Sequence, residues 1–348
     1  MRAGAAEDIS GSALPVVARL SVRSVPVAVV MGIVLVMGAA LRLYDLGAES
    51  YWLDEVIMLR AAGGDIGSIL ASARPPVYVL LTHFWIGFFG TSEASTRLLP
   101  AIFGVLSILL TYRIGHDLFG KRVGLMAALL VSLSAFQIYY SQETRYYSLF
   151  VLCALLSYYV MLRALTTARP LYFGLYAVAG ILMFYSHSYA VFVLAAQNLY
   201  FALSWKRSRP LLLPWTLCQV VMALAILPAL GTPVDKVVSG EAAVMKWIPD
   251  PPLWQPFLDV MGYIVPIYSS SKVALIVVLF LGVVALGVVV LLRGSREWWT
   301  DARQTALDLR RRVAGDGDKL LLLGSWLVCP ILIPLLMSKV FGPMYLSR

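Results

Sequence analysis

Charged residues are scarce in this chain, and their scarcity excludes an ordinary soluble domain. Only 14% of its 348 residues are Asp, Glu, Lys or Arg, whereas 60% are hydrophobic. A soluble domain carries about 25% charged residues. The composition therefore predicts a polytopic membrane protein, in which most apolar side chains face lipid or a neighbouring helix.

Cysteine and histidine are also rare, with three of each. All three cysteines lie within apolar runs, so neither a disulfide framework nor a cysteine-rich metal site is expected. The segments predicted below to be external contain no Asp-x-Asp pair, which weakens the case for a divalent metal without excluding one. We expect no cofactor. The run Arg310-Arg311-Arg312 is interpreted as a cytoplasmic anchor, and no nucleic-acid partner is expected.

Long apolar runs, by contrast, are abundant, and a membrane-spanning helix needs about 20 such residues. We predict an all-α fold with about nine transmembrane helices, near 25–43, 97–114, 123–140, 146–164, 171–186, 188–204, 211–230, 271–292 and 319–340. The run 77–90 is too short to span, and it is predicted to be an external juxtamembrane helix. The runs 171–186 and 188–204 could instead be one long helix with a re-entrant piece.

The distribution of lysine and arginine indicates which side of the membrane each loop faces. Residues 1–24 are predicted to be a cytoplasmic tail and 25–348 a transmembrane domain, with external loops at 44–96 and 231–270 and a basic cytoplasmic loop at 293–318. Of the 28 lysines and arginines, 18 then lie on the cytoplasmic side and the other 10 at or beyond the outer boundary. Cytoplasmic loops carry such an excess. We expect a bacterial inner-membrane protein whose N-terminus is cytoplasmic and whose first span is retained.

Two adjacent acids follow the first predicted span, in Tyr51-Trp52-Leu53-Asp54-Glu55. Ionisable groups close to hydrocarbon are costly unless they are hydrated, paired or functional. Our hypothesis is that Asp54 is a catalytic base just outside the bilayer, with Glu55 beside it. The alternative is that both acids are solvated, or form the acidic first turn of a surface helix that the helix dipole favours.

Further polar and aromatic residues gather on the same predicted face. They are Arg74, Tyr78, Arg97, Glu143, Arg145, Tyr146 and His187. Their tyrosines suit either an aromatic belt or a sugar-binding pocket. Three of them have a specific structural alternative: Arg97 as an interfacial anchor, Arg145 paired with Glu143, and His187 as a packing residue.

The order of short motifs along the chain is more specific than any one of them. The motifs are Leu53-Asp54-Glu55, Arg74-Pro75-Pro76-Val77-Tyr78, Phe89-Gly90-Thr91-Ser92-Glu93, Arg97-Leu98-Leu99-Pro100, Tyr140-Ser141-Gln142-Glu143-Thr144-Arg145-Tyr146-Tyr147 and Tyr185-Ser186-His187. This order resembles the GT-C glycosyltransferases of the protein O-mannosyltransferase and aminoarabinose-transferase type. The resemblance covers about Val25 to Gln197.

The resemblance implies a multi-span membrane enzyme that moves a sugar from a polyprenyl-phosphate donor to an extracytoplasmic acceptor with inversion. It places the essential acid of an Asp-Glu pair on Asp54 and Glu55. It makes Arg97 and Arg145 candidates for the donor phosphate, with Arg74 as a possible addition. We expect the substrate to contact Tyr78, Glu143, Tyr146 and His187. Expected partners are the lipid-linked sugar, membrane lipids, and a lipid, glycan or protein acceptor.

The chemistry of such a transfer agrees with this residue set. A phosphate leaving group departs as an anion and needs a cation rather than a general acid, and arginine supplies planar, bidentate donors. The acceptor hydroxyl needs one carboxylate to take its proton. Two carboxylates flanking one bond, as glycosidases have, are not required.

Two departures from the family pattern and two other functions are considered. Arg74-Pro75-Pro76 stands where protein mannosyltransferases commonly have His-Pro-Pro, which weakens the case for a protein acceptor. The sequence ends at Arg348, soon after the ninth predicted span, whereas relatives usually continue, and we expect either a short form of the family or a truncated chain. A lipid-linked-sugar transporter or flippase, or an inactive carrier-binding subunit, would use the same arginines for binding. An enzyme is favoured because no internal repeat is evident and the polar cluster lies at one face, not at mid-membrane.

Overall fold

A computed structural model of the chain describes residues 26–71, 76–238 and 316–341, and within these ranges every regular element is a helix. The predicted all-α class is confirmed. The predicted span at 271–292, the predicted cytoplasmic tail and Arg74 lie outside the described residues.

The described helices are short near the start of the chain and longer afterwards. In chain order they are α1 (Val27–Leu43), α2 (Leu53–Ala62), α3 (Ile66–Ala71), α4 (Pro76–Phe89), α5 (Glu93–Phe119), α6 (Lys121–Leu133), α7 (Ala135–Ser141), α8 (Tyr147–Thr167), α9 (Pro170–Ser186), α10 (Ala190–Leu203), α11 (Trp205–Ser208), α12 (Leu212–Val238) and α13 (Asp316–Phe341).

Several of these helices have the length and composition of membrane spans. Four segments qualify singly: Glu93–Phe119, Tyr147–Thr167, Trp205–Ala229 and Asp318–Leu336. The pair α6 and α7 qualifies together, with a 60° bend between them, and α1, α4, α9 and α10 are apolar but shorter. The chain is therefore a polytopic membrane protein, while the count of nine spans stays a prediction.

Two details of the predicted layout can be compared with the structure. The run 77–90 forms the 14-residue helix α4, as short as expected. The runs 171–186 and 188–204 form two separate helices, α9 and α10, which meet at His187 and Tyr189. They are not one long helix.

A buried hydrogen-bond network ties the later helices together. Gln197, which is fully buried, donates to the Ser157 hydroxyl at 2.8 Å and accepts from the Tyr176 hydroxyl at 3.0 Å. Asn198 links Gln219 and Trp215 at 3.1 Å each. These bonds join α8, α9, α10 and α12, and side-chain bonds of this kind help to hold membrane helices together.

The bend between α6 and α7 is stabilised by a buried arginine of α1. Ser134 adopts an extended conformation and ends α6, which leaves the last carbonyl groups of that helix without helical partners. The Arg42 guanidinium donates to the carbonyl groups of Val131 and Ser132, both at 3.1 Å, and of Gly38 at 3.0 Å. The partial negative charge at the end of α6 also favours this cation. The loop that follows α7 then reaches α2, where the Thr144 N–H donates to Glu55.

Gly104 of α5 permits this arrangement, because a Cβ atom there would overlap Ser141 and lie 2.8 Å from Nε of Arg42. We expect Gly104→Ala to destabilise the protein by about 1–3 kcal/mol through overpacking, measured as a lower thermal transition in detergent. Gly174→Ala is the matched control, since a Cβ atom at Gly174 meets nothing within 4 Å. Equal transitions for the two variants would contradict the packing described around Arg42.

Candidate active site

The two adjacent acids begin helix α2 and point in different directions. The Trp52 backbone N–H donates to Oε2 of Glu55 at 3.3 Å, which satisfies one of the free N–H groups at the start of the helix. Successive helical residues are rotated by about 100°. The Glu55 side chain is therefore completely buried, whereas the Asp54 side chain is 32% exposed. The alternative of two solvated acids does not describe Glu55.

Glu55 is held by a bidentate ion pair with Arg97 of α5. Arg97 donates from Nε to Oε1 at 2.9 Å and from Nη2 to Oε2 at 2.8 Å. The Thr144 backbone N–H also donates to Oε1, at 2.9 Å. Burial by itself raises the pKa of Glu55, but the hydrogen bonds from Arg97 and Thr144 and the Arg97 charge outweigh it, and the pKa is lowered. Glu55 is thus a structural carboxylate anion.

The remaining donors of Arg97 bind the loop before α2. Its Nη1 group donates to the carbonyl groups of Leu46 at 3.3 Å and Glu49 at 2.7 Å, and Nη2 donates to Ser50 at 3.3 Å. A guanidinium has five N–H donors, and Arg97 uses all of them within the protein. The donor-phosphate contact predicted for Arg97 would require some of these bonds to break.

Asp54 pairs with Arg145, in the loop between α7 and α8. Nη1 of Arg145 lies 2.5 Å from Oδ2 of Asp54. Nη2 donates to the Tyr146 hydroxyl at 3.1 Å and to the Tyr147 hydroxyl at 3.3 Å. The guanidinium also lies over the rings of Trp52, Tyr146 and Tyr147, at 5.0–5.7 Å from their centroids. Such rings attract cations. The structure pairs Arg145 with Asp54, not with Glu143 as the structural alternative supposed.

Three buried polar atoms beside this pair have no well-formed hydrogen bond among the described residues. They are Nε of Arg145, Oε2 of Glu143 and the Tyr78 hydroxyl. The charges of Glu143 and Arg145 both act on the Tyr78 hydroxyl, so the three groups lie in one region. Buried polar groups are normally paired with protein or water. The cluster therefore has the unused hydrogen-bonding capacity that a polar ligand or ordered water would fill.

The Glu143 carboxyl differs electrostatically from Glu55. Only 7% of Glu143 is exposed. Burial raises its pKa, and the negative charges of Glu55 and Asp54 add to the effect; a hydrogen bond from Tyr139 and the Arg145 charge oppose it without reversing it. The site thus contains one carboxylate that is strongly held as an anion and one carboxyl that is held closer to its neutral form.

His187 lies against the tyrosines that surround Arg145. Its ring centroid is 4.9 Å from that of Tyr146 and 5.3 Å from that of Phe150. The Tyr189 backbone N–H donates to its Nδ1 atom at 3.0 Å. Burial and the Arg145 charge lower the pKa of His187 to about 4.

Eight of the predicted site residues therefore lie in or beside one cluster at the start of α2 and the loop after α7; Arg74 is outside the described residues. Sequence reasoning did not identify Trp52, Thr144 or Tyr147, although all three stand inside the quoted motifs. It also missed the bridge from Tyr51 through Thr96 to Thr144, with oxygen–oxygen distances of 2.8 and 3.0 Å. Only the pairing of distant segments gives these residues a role. In the described part of the chain no group of three or more His, Cys, Asp or Glu side chains could hold a metal ion.

The fold and the site together define a polytopic membrane protein whose site has two acid–arginine pairs close to helix ends, one of them buried and the other partly exposed. Residues 73–231, slightly under half of the chain, match the family model of the dolichyl-phosphate-mannose-protein mannosyltransferases. This confirms the resemblance to GT-C glycosyltransferases of the protein O-mannosyltransferase type and supports a membrane glycosyltransferase. The match includes Arg97, Arg145 and His187 but begins after Asp54 and Glu55. Comparison with curated proteins and with solved structures gave no significant match.

Removing either member of the Glu55–Arg97 pair leaves a buried charge without its partner. We expect Arg97→Ala or Glu55→Ala to cost about 3–5 kcal/mol of stability, measured by denaturant unfolding in detergent. Arg113→Ala is a control, because the Arg113–Asp117 pair is partly exposed at 48% and 26% and is worth at most about 1 kcal/mol. The double variant should cost less than the sum of the two single changes; strict additivity would show that the pair does not form.

The opposite pKa shifts of Glu55 and Glu143 predict opposite pH dependences. Because the pKa of Glu55 is lower in the folded protein than in the unfolded chain, this residue stabilises the fold at pH values above its pKa in the unfolded chain. The stabilisation is lost as the pH falls through its pKa in the folded protein. Because the pKa of Glu143 is higher in the folded protein than in the unfolded chain, this residue stabilises the fold at low pH. The stabilisation is lost as the pH rises through its pKa in the folded protein.

Thermal transitions measured from about pH 4 to pH 8 would test this pair of shifts. As the pH rises, the transition temperature of the wild type should increase relative to that of Glu55→Gln. Over the same range, the transition temperature of the wild type should decrease relative to that of Glu143→Gln. Parallel curves for the two variants would contradict the assignment.

Proposed function

We propose that this chain transfers a sugar from a polyprenyl-phosphate carrier to an acceptor on the extracytoplasmic face, with inversion at the anomeric carbon. The observation that carries the proposal is the Asp54–Arg145 pair. It places a partly exposed carboxylate against a cation whose Nε–H group has no partner among the described residues, beside other buried polar atoms without a well-formed hydrogen bond. A phosphate leaving group and an acceptor hydroxyl need these two kinds of side chain.

In this mechanism Arg145 holds the donor phosphate and Asp54 is the base. Arg145 is fixed by three aromatic rings and two tyrosine hydroxyl groups, so it is already oriented before the donor binds. A donor phosphate can take over the contact of Arg145 with Asp54, which frees that carboxylate for the acceptor. Preorganised charge of this kind lowers the cost of reaching the transition state.

The transfer is a single displacement. The acceptor oxygen attacks the anomeric carbon, and the bond from that carbon to the phosphate oxygen breaks. The acceptor proton passes to the Asp54 carboxylate, and the polyprenyl phosphate leaves as an anion beside Arg145. The Glu143 carboxyl, the Tyr78 hydroxyl and Tyr146 contact the donor sugar, since Oε2 of Glu143 and the Tyr78 hydroxyl have no well-formed hydrogen bond among the described residues.

Glu55 and Arg97 have a different role in this proposal from the one expected from sequence. Both are fully engaged with each other and with backbone groups of two loops. We assign them to positioning Asp54 and Arg145, not to the base or to the donor phosphate. Arg74 keeps its predicted role as an additional phosphate contact.

The proposed setting is a bacterial inner membrane, with the N-terminus in the cytoplasm. The 18 to 10 distribution of lysine and arginine supports this orientation. The acceptor is a lipid, a glycan or a protein, and no cofactor is required.

Asp54→Asn should lower the initial rate of transfer by about 10²–10⁴-fold, because the acceptor loses its base. The assay is transfer of labelled sugar from a panel of polyprenyl-phosphate sugars by purified protein in lipid. Asp65→Asn is the control, an exposed acid of the same loop, and it should transfer at the wild-type rate.

Two outcomes would contradict this reading. A normal rate in folded Asp54→Asn would remove Asp54 as the base. Binding of the lipid phosphate by the wild type with no transfer from any donor would favour a carrier-binding or transport protein.

A further inference from the structure

The protonation pattern of His187 is set by the backbone of its own loop. His187 lies at the junction of α9 and α10, where the Tyr189 N–H donates to Nδ1 at 3.0 Å. A backbone N–H can only donate, so Nδ1 must be an acceptor without a proton. In a neutral imidazole the single proton then resides on Nε2.

The surroundings of His187 keep the ring neutral. Its neighbours are Tyr146, Tyr147 and Phe150, together with Tyr189 from its own loop. The charged group that acts on the ring is the Arg145 cation, and no described carboxylate forms an ion pair with it. A second positive charge beside Arg145 would be repelled, and burial opposes it further.

The Nε2–H group is therefore a neutral donor that the described protein does not use. Because Nδ1 faces the backbone of the α9–α10 junction, Nε2 points away from that junction. No described residue accepts a hydrogen bond from Nε2, and His187 as a whole residue is half-buried. His187 and Arg145 pack against the same two tyrosines, at 4.9 and 5.0 Å from the Tyr146 centroid.

We propose that His187 donates a hydrogen bond from Nε2–H to a phosphate oxygen of the polyprenyl-phosphate carrier, next to Arg145. This inference rests on the proposed function, since it deepens the same site. A neutral donor adds a directed contact without adding charge. His187 and Arg145 together orient the phosphate, but only Arg145 carries a positive charge. The polyprenyl phosphate anion that leaves the reaction is therefore held less tightly than it would be by two cations.

The matched pair His187→Gln and His187→Asn tests the contact. The Gln amide places an N–H group where Nε2–H lies, whereas the Asn amide oxygen replaces Nδ1 and supplies no donor at Nε2. The probe is polyprenyl phosphate without a sugar, titrated into purified protein in lipid, so that its readout does not depend on transfer.

We expect His187→Asn to weaken binding about tenfold or more, as for a lost hydrogen bond to a charged group. His187→Gln should stay within about threefold of the wild type. His116→Asn is the control, because His116 pairs with Asp117 instead, and it should bind normally. Equal weakening by Gln and Asn, or no weakening by Asn, would overturn the proposal.

Nitrogen NMR of histidine-labelled protein provides a second measurement. The chain has three histidines, and the His187 signals are those lost in His187→Gln. We expect the Nε2–H tautomer, no titration between about pH 5 and pH 8, and a shift of the Nε2 signal on adding polyprenyl phosphate. A protonated Nδ1, titration in that range, or an unmoved Nε2 signal would overturn the proposal. Carrier binding without sugar transfer would instead refute the transferase while leaving the His187 contact standing.

Discussion

The buried ion pair between Glu55 and Arg97 fixes α2 against the loop after α7, the two segments that carry Asp54 and Arg145. Taking two charges out of water is expensive, and the cost is offset only when all their hydrogen-bonding positions are filled. Here Arg97 uses its five donors, and Glu55 also accepts from the backbone of Trp52 and Thr144. The pair thereby joins α5 to α2, to the loop before α2 and to the loop after α7.

Adjacent residues of α2, and adjacent residues of the loop after α7, make different kinds of contact. On α2, Glu55 faces the interior and Asp54 the edge of the site, because adjacent helical positions are rotated by about 100°. In the facing loop, Thr144 binds Glu55 through its backbone and Arg145 binds Asp54 through its side chain. The first contact is structural, and the second joins the two side chains to which we assign the proposed transfer. A change that shifts α2 by one residue would therefore disturb both stability and chemistry.

The position of the loop after α7 also depends on a second buried arginine, Arg42 of α1. Arg42 satisfies the carbonyl groups that the end of α6 leaves free, and so stabilises a 60° bend without proline at that point. Unsatisfied backbone groups are costly where water is absent. The loop that follows α7 and carries Glu143 and Arg145 then reaches α2. The geometry of the proposed reaction thus depends on a helix break several residues away from it.

The sequence alone determined most of the long helices, because hydrogen bonds within a membrane helix are local and apolar runs reveal them. The run 123–140, predicted as one span, is instead divided into α6 and α7 at Ser134. It predicted α4 and the separate α5 and α8, and the motif order indicated the family resemblance and the region of the site. Only the tertiary structure decided the ion-pair partners. Arg97 and Arg145 looked alike as phosphate ligands. Arg97 is nevertheless saturated by Glu55, 42 residues away, and by three backbone carbonyl groups, whereas Arg145 faces Asp54. Local pattern carries no information about which carboxylate an arginine meets after folding, nor that the Tyr189 N–H fixes the proton of His187.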